Sequence, residues 1–254
     1  MIITPLNSTE SSVLLSGYVT GHTSNVRDIW PISAATARIN IPESLRLMTV
    51  SSGSTNDTIA GTGARVVSIS GISGGRLFAE IVDMNGRTGV TTVNAYTSIL
   101  SIEVIETGSL GSNDGVIYVG SGTVTTGVPA TPYCAMRAST GSAETLSFTV
   151  PTSYEFEVEH VTIIPKTIGT TSFTWGIEEQ TNAPFYTRTP VQQKRVLRYN
   201  AMYRDVRHAE TEFKYPLLFK EGRMFTMQVS NLNSNGDIIA QVVGKLKYIG
   251  TDDT

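Results

Sequence analysis

The sequence predicts an all-β protein with two antiparallel β-sandwich domains of jelly-roll-like type. Thr, Ser and Gly dominate the polar composition, with 34 Thr, 25 Ser and 23 Gly in 254 residues, which favours short strands joined by tight turns. Charged residues make up only 16% and Lys occurs six times, which excludes coiled coils and helical bundles. Short apolar/polar alternations recur along the chain with turn residues between them. We therefore expect helix in less than about 10% of residues.

The N-terminal segment, residues 1–20, is polar and rich in Ser and Thr, with one apolar run at residues 13–15. This composition favours an N-terminal arm that becomes ordered against a neighbouring molecule on assembly. A first edge strand is the alternative.

The first sandwich domain is expected over residues 21–125. Asn85-Gly86 separates two β-type runs and predicts a hairpin. Residues 51–63 consist almost entirely of Ser, Thr, Asn, Asp and Gly, which predicts a loop. The strands are expected at residues 38–41, 45–50, 66–70, 77–83, 89–93, 98–105 and 116–119.

The boundary between the domains is expected near residues 121–131, which are rich in Gly, Ser, Thr and Pro. A change in charge supports this division. Residues 1–128 contain no Lys and carry a net charge of −3, whereas residues 129–254 carry 13 basic and 13 acidic groups.

The second sandwich domain is expected over residues 131–254. A strand at residues 154–164 places Glu155, Glu157 and Glu159 on one wet, acidic face. A short helix beginning at Thr189-Pro190 is left open, because Pro suits the first helical position but residues 191–203 lack an apolar stripe. Further strands are expected at residues 146–150, 172–177, 224–229, 238–243 and 245–249.

Charge and cysteine content limit the function classes. The net charge of −3 offers no global basic field, which argues against nucleic acid as the main partner. Cys134 is the single cysteine, so no intrachain disulfide and no Cys-based metal site is possible, and we expect a small buried hydrophobe. His22, His160 and His208 lack zinc-type spacing, so neither metal nor cofactor is expected.

The sequence contains no apolar run near the roughly eighteen residues that a membrane span needs, and no secretory signal. We therefore expect a soluble protein made in a reducing cytoplasm, with no membrane partner.

Enzyme motifs are weak. Residues 71–75 match the G-x-S-x-G nucleophile elbow around Ser73, but that motif needs a following helix and residues 76–83 predict a strand. A glycan hydrolase needs two carboxylates about 5 to 10 Å apart in a cleft, and the sequence does not place Glu178, Glu179 or Asp205 in one. We predict that the protein is not an enzyme.

One basic segment with interleaved tyrosines is the candidate functional site. Arg and Tyr dominate protein–protein hot spots, whereas basic groups beside aromatics can also bind nucleic acid. Asp205, Glu210 and Glu212 offset the charge, which favours a protein–protein interface, with the acidic face of residues 155–159 as one candidate partner surface. The predicted interface residues are Lys194, Arg195, Arg198, Tyr199, Tyr203, Arg204 and Arg207.

Residues 51–65 read Ser-Ser-Gly-Ser-Thr-Asn-Asp-Thr-Ile-Ala-Gly-Thr-Gly-Ala-Arg. Asn85-Gly86, Val90-Thr91-Thr92 and a Gly/Ser/Asn turn at residues 108–115 follow. This combination resembles a β module of virion structural proteins of tailed bacteriophages, especially marine and cyanobacterial ones.

The resemblance implies a non-enzymatic particle component that is assembled in the bacterial host cytoplasm and located in the virion. A head-decorating or head–tail accessory protein is expected, in contact with copies of itself, as a trimer or another closed ring, and with a major capsid protein or a tail or portal component. The alternative is a tail, baseplate or fibre component that binds a host receptor or glycan. Exposed aromatics around Trp30, Tyr96 or Tyr186 would favour that alternative.

Overall fold

The structure, a computed structural model, describes residues 2–5, 9–22, 27–30, 39–40, 42, 44–143, 145–166, 171–181, 195–231 and 236–250. None of these residues is helical, and all strand pairings among them are antiparallel, so the all-β prediction is confirmed. Within these ranges, no helix with the length and apolar character of a membrane span is found. The strands are β1 (Ile2–Pro5), β2 (Glu10–His22), β3 (Arg27–Asp28), β4 (Arg46–Ser52), β5 (Ala64–Ser73), β6 (Arg76–Asp83), β7 (Val90–Tyr96), β8 (Ser98–Thr107), β9 (Ile117–Thr125), β10 (Val128–Met136), β11 (Ser147–Thr149), β12 (Tyr154–Lys166), β13 (Thr171–Thr181), β14 (Arg195–Val206), β15 (Ala209–Phe219), β16 (Arg223–Asn231) and β17 (Gly236–Tyr248).

The chain forms two compact units. Unit 1 comprises Met1–Arg38 and Leu146–Thr254, and unit 2 comprises Ile39–Thr145. Unit 1 contains sheet A, in the order β1-β2-β17-β12-β15, and sheet B, in the order β11-β16-β13-β14, with β3 also paired to β16. Unit 2 contains sheet C, in the order β10-β9-β4-β7, and sheet D, in the order β6-β5-β8.

The core of unit 1 is aromatic. Phe156 of sheet A lies edge-on to Phe148 and Phe225 of sheet B, with ring centroids 4.9 and 5.8 Å apart. Phe219 of sheet A contacts the same Phe225 at 5.4 Å. All four rings are fully buried, so sheets A and B pack face to face across them.

The core of unit 2 is mainly aliphatic and is shared by both of its sheets. Met48 and Val50 of sheet C belong to the same buried cluster as Val67 and Ile69 of sheet D. These pairs are two residues apart, as the period-two pattern predicts for strands with one buried face.

The division of the chain corrects the sequence-based domains, 21–125 and 131–254. Residues 121–131 lie within the β9–β10 hairpin of unit 2, whose turn contains Thr126 and Gly127 at φ 50° and 84°. Turn residues of this composition serve a tight hairpin as well as a linker. Unit 2 is instead inserted between β3 and β11, which pair with neighbouring segments of β16.

The N-terminal arm also needs correction. β2 pairs along the length of β17, from His22↔Gly236 to Glu10↔Lys247, and Val13 and Leu15 are buried. Most of residues 1–20 therefore forms sheet strands, with β1 at the edge of sheet A. Burial of the apolar run at residues 13–15 stabilises this pairing.

The predicted hairpin at Asn85-Gly86 is wrong. β6 pairs with β5 in sheet D, whereas β7 pairs with β4 in sheet C, so the turn joins two sheets. Its backbone is bonded to the loop before β5 instead, because Gly86 donates to the carbonyl of Asp57 and accepts from Ser52.

The strand expected at residues 38–41 and the helix left open after Thr189 are also not found in the described part of the chain. Ile39 and Asn40 lie outside the strands. Residues 189–194 lie outside the described residues, and residues 195–203 belong to β14, so the open helix does not extend over them.

Candidate functional site

The predicted interface falls on an edge strand. Arg195 to Val206 form β14, which is the last strand of sheet B and pairs with β13. Arg207 follows the strand, and Lys194 lies outside the described residues. The side chains of an edge strand can contact a partner, whereas the register shift at Arg198 hinders pairing through the backbone.

The two tyrosines of the predicted interface turn towards the core. The ring of Tyr199 lies 5.1 Å from Trp175 and 4.9 Å from Phe213, measured between centroids. Tyr203 stacks at 5.9 Å on Phe173, and its hydroxyl is 2.8 Å from the hydroxyl of Thr211. These rings therefore fix β14 against sheet A of the same unit, and we do not regard them as free anchors.

Arg198 is also used within the unit. It is the extra residue of a register shift in β14, and its guanidinium forms an ion pair with Glu179. The same carboxylate lies 3.6 Å from Arg223, and the Arg198 guanidinium covers the ring of Phe219 at 5.7 Å. The charge of Arg198 thus has partners within unit 1.

Arg204 and Arg207 are different. Both are exposed, and neither forms an ion pair with another of the described residues. Of the predicted cationic groups whose side chains are described, these two are available to an external partner.

Exposed apolar side chains, which the sequence analysis missed, accompany these arginines. Val196, Leu197 and Met202 of β14 are about half exposed. Tyr215 of β15 is 78% exposed, and β15 is the edge strand of sheet A. Pro216 is the sequence feature that indicates the edge position of β15, because proline within a strand is typical of sheet edges. Val196 and Leu197 are consecutive and point to opposite faces, so we call the exposed residues Leu197, Met202, Arg204 and Tyr215 of these two edge strands the β14–β15 edge surface.

The acidic face proposed as a partner surface is neutralised by the chain itself. Glu157 lies 2.8 Å from the Nζ of Lys247, and Glu159 lies 2.6 Å from that of Lys245. These hydrogen bonds raise the pKa of both lysines. Four of these side chains therefore form cross-strand pairs on sheet A instead of an uncompensated acidic surface.

The segment that carries the phage resemblance forms a buried hydrogen-bond network. The carboxylate of Asp57 is fully buried and accepts four hydrogen bonds. They come from the hydroxyl of Ser52 at 2.5 Å and the backbone N–H groups of Ala64, Asp114 and Gly115 at 2.7, 2.8 and 2.8 Å. A Cβ at Gly63 would lie 2.1 Å from the same carboxylate. The motif therefore ties the loop before β5 to the loop before β9.

The catalytic alternatives lack the necessary geometry. Ser73 ends β5 and is joined by Gly74-Gly75 to β6, so strand and not helix follows it. Glu178 and Glu179 are consecutive on β13 and therefore point to opposite faces of the sheet. The side chain of Asp205 lies outside the described residues.

The remaining candidates are buried or undescribed. Cys134 is buried, which raises the pKa of its thiol to about 11. Trp30 and Tyr96 are fully buried and Tyr186 is not described, so none of them is seen as an exposed receptor-binding aromatic. Across the described ranges, no group of three or more His, Cys, Asp or Glu side chains is arranged to hold a metal ion.

Comparison with known proteins gives distant structural similarity. No protein-family profile matches the chain, and no curated protein does. Among solved structures, the infectious bursal disease virus Gt strain aligns at 8% identity and a TM-score of 0.22, over 94% of this chain and 72% of that chain. The Gx strain gives 8% and 0.21 over 98% and 78%, and the VP2 subviral particle of the same virus gives 7% and 0.18 over 99% and 79%. Such low TM-scores carry no argument about fold or function.

Proposed function

We propose that the protein is a non-enzymatic structural component of a tailed phage particle, a head-decorating or head–tail accessory protein. Its partners are then other copies of this chain, in a trimer or another closed ring, and a major capsid, tail or portal protein. The observation that carries the proposal is the strand order of unit 1, which we interpret as a jelly roll.

The strand order is as follows. We count β2 as the first strand, β3 and β11 together as the second, and β12 to β17 as the third to eighth. Sheet A then runs 1-8-3-6, beside the additional β1, and sheet B runs 2-7-4-5. Eight strands in two such facing sheets form a double Greek key, the arrangement of jelly rolls in viral capsids and in lectins and cupins. Unit 2 is then a β-sandwich inserted into the second strand.

A fold hosts many functions, so the choice among them depends on the surfaces. The β14–β15 edge surface combines Arg204 with exposed apolar and aromatic side chains, the composition of protein–protein interface cores. The resemblance of residues 51–65 to a virion module supports a particle protein, and the Asp57 network gives these residues a structural role. Together these features favour assembly over catalysis.

Fractionation of purified particles tests the proposal. Heads and tails are separated and each fraction is probed for peptides of this chain by quantitative mass spectrometry. We expect the chain in the head or head–tail fraction in a copy number that is a multiple of the ring size. Recovery in tail fibres alone would support the receptor-binding alternative, and absence from particles would refute the virion role.

A further inference from the structure

Strand β6 is an exposed sheet edge. It is the first strand of sheet D, and among the described strands it pairs with β5. Its apolar side chains reach solvent, since Leu77 is about half exposed, Phe78 is 44% exposed and Ile81 is 68% exposed. A long apolar edge of this kind is a template for pairing with another strand.

The other sheet edges carry features that block such pairing. β1 and β11 are four and three residues long, and β14 contains the Arg198 register shift. β7 has a register shift opposite β4, β10 contains Pro129 and Pro132, and β15 contains Lys214 and Pro216. Short strands, prolines, charges and bulges are the known means of blocking an edge.

The far edge of sheet D is covered. The N–H of Val104 on β8 donates to the carbonyl of Gly141, and the N–H of Ala143 donates to the carbonyl of Ile102. β6 has no such backbone cover among the described residues and contains neither Pro nor Lys, and its charged side chains, Arg76, Glu80 and Asp83, carry both signs. Its register with β5 runs without a shift from Val66↔Asp83 to Ser73↔Arg76.

The free hydrogen-bonding groups of β6 follow from that register. In an antiparallel pair, residues alternate between those that bond their neighbour and those that do not. The tight β5–β6 hairpin closes at Ser73–Arg76, so Arg76, Phe78 and Glu80 bond to β5. Leu77 and Ala79 therefore direct their N–H and C=O groups outwards.

We propose that β6 pairs antiparallel with β6 of a second copy of this chain, about a two-fold axis centred on Phe78. In this register Phe78, Leu77 and Arg76 of one copy lie opposite Phe78, Ala79 and Glu80 of the second copy, in that order. Sheet D of one copy thereby continues into sheet D of the other.

Symmetry and charge select this register and this occupant. A two-fold axis normal to the sheet must pass midway between a residue of β6 and the same residue of the second copy, because opposed residues share a face. An axis at Glu80 would place the Glu80 carboxylates of the two copies opposite each other, and an axis at Ala79 would place Glu80 of one copy opposite Phe78 of the other. Centring on Phe78 pairs two aromatic rings and twice brings Arg76 towards Glu80, whose carboxylate is held by Val93, Asn94 and Tyr96 of its own chain and attracts the arginine by its charge. This register therefore favours pairing of β6 with itself.

Cysteine cross-linking tests the register. Opposed residues in a non-bonded antiparallel pair have Cα atoms about 4.5 Å apart, which is within disulfide range. The single native cysteine, Cys134, is buried and does not compete. Phe78→Cys should form a disulfide-linked dimer under mild oxidation, whereas the control Ile105→Cys, at a β8 position that is 50% exposed, should form no disulfide-linked dimer. Equal cross-linking of the two variants would overturn the proposal.

A second variant tests the pairing without oxidation. Leu77→Lys places a charge at the paired edge and should halve the sedimentation-equilibrium mass at micromolar concentration, with an unchanged circular dichroism spectrum. Ile105→Lys is the control and should keep the wild-type mass. A monomeric wild-type chain would overturn self-pairing. If Leu77→Lys then still blocked incorporation into particles, the partner of β6 would be a strand of another particle protein.

The test is independent of the proposed function. A chain that dimerises through β6 and is absent from particles would refute the virion role and leave this pairing intact.

Discussion

Replacing Asp57 by Asn tests the view that the motif at residues 51–65 is a structural lock. The substitution conserves size and turns one carboxylate oxygen into an NH2 group. Asp57 Oδ1 accepts from Ala64 and Asp114, and Oδ2 accepts from Ser52 and Gly115. In either orientation of the new amide, its NH2 group therefore faces two groups that are themselves hydrogen-bond donors.

The size of the effect follows from burial. Asp57 is fully buried, and a buried donor that loses its partner costs about 1–3 kcal/mol. The Ser52 hydroxyl can rotate and accept from the new NH2, so at least one donor stays unpaired. We expect the free energy of unfolding to fall by about 1–3 kcal/mol, which in a chain of this size lowers Tm by roughly 2–12 °C.

Asp114→Asn is the matched control, because the same substitution is made in the same loop network on an exposed side chain. The Asp114 carboxylate accepts from Ser54 at 2.5 Å and from Asn56 at 3.1 Å. We expect a change within about 0.5 kcal/mol in differential scanning calorimetry and urea unfolding. If Asp57→Asn melts within 2 °C of this control, about the lower end of the shift for 1 kcal/mol, the structural-lock argument is refuted.

Three further predictions concern charge and the inserted unit. Burial raises the pKa of Glu80, but hydrogen bonds from Asn94, Val93 and Tyr96 outweigh burial and lower the pKa overall. The ionised side chain therefore stabilises the fold above its usual pKa of 4.5, and this stabilisation should be lost as the pH falls below that value. Urea unfolding from pH 3 to 7 should show a smaller acid loss in Glu80→Gln than in the exposed control Glu103→Gln, and equal losses would contradict the assignment. Arg204→Glu should weaken self-association in analytical ultracentrifugation at an unchanged Tm, whereas Arg198→Ala should lower stability by about 1 kcal/mol; the reverse pattern would contradict the roles assigned to the two arginines. Replacing residues 31–145 by a short Gly/Ser linker should leave unit 1 cooperatively folded by circular dichroism, since chain ends that lie close together tolerate insertion, and a non-cooperative melt would count against this.

The strands were predictable because their side chains alternate. β12 shows this clearly, since Phe156 and Val158 are buried while Glu157 and Glu159 stay at the surface. The acidic face was predicted, but its neutralisation was not. Lys245 and Lys247 follow about ninety positions later, and only the pairing of β12 with β17 brings them opposite the glutamates.

The domain division could not be predicted from local composition. Gly, Ser, Thr and Pro at residues 121–131 suit either a linker or a hairpin, and the choice depends on whether β9 and β10 pair. The real junctions follow from long-range pairing, because β3 and β11 are far apart in sequence and both contact β16.

The orientation of the candidate interface was equally hidden. In a regular strand Arg198 and Tyr199 would point to opposite faces, one wet and one buried. The register shift at Arg198 makes it an extra residue instead, and its guanidinium covers Phe219 while Tyr199 packs on Trp175. A single inserted position thus pairs one predicted anchor, Arg198, within unit 1 and leaves Arg204 and Arg207 as the available cations.

The split of one strand by unit 2 would let one chain carry the two contact surfaces proposed above. The N–H of Leu146 donates to the carbonyl of Ile29 at 3.0 Å, so the chain leaves and re-enters unit 1 at adjacent points. The β14–β15 edge surface belongs to unit 1 and the β6 edge belongs to unit 2, and each unit has its own buried core. Substitutions at one surface should therefore leave the other intact, because effects of sites without shared contacts add. If the β14–β15 edge surface closes the ring proposed above, the two-fold contact at β6 would join one ring to another.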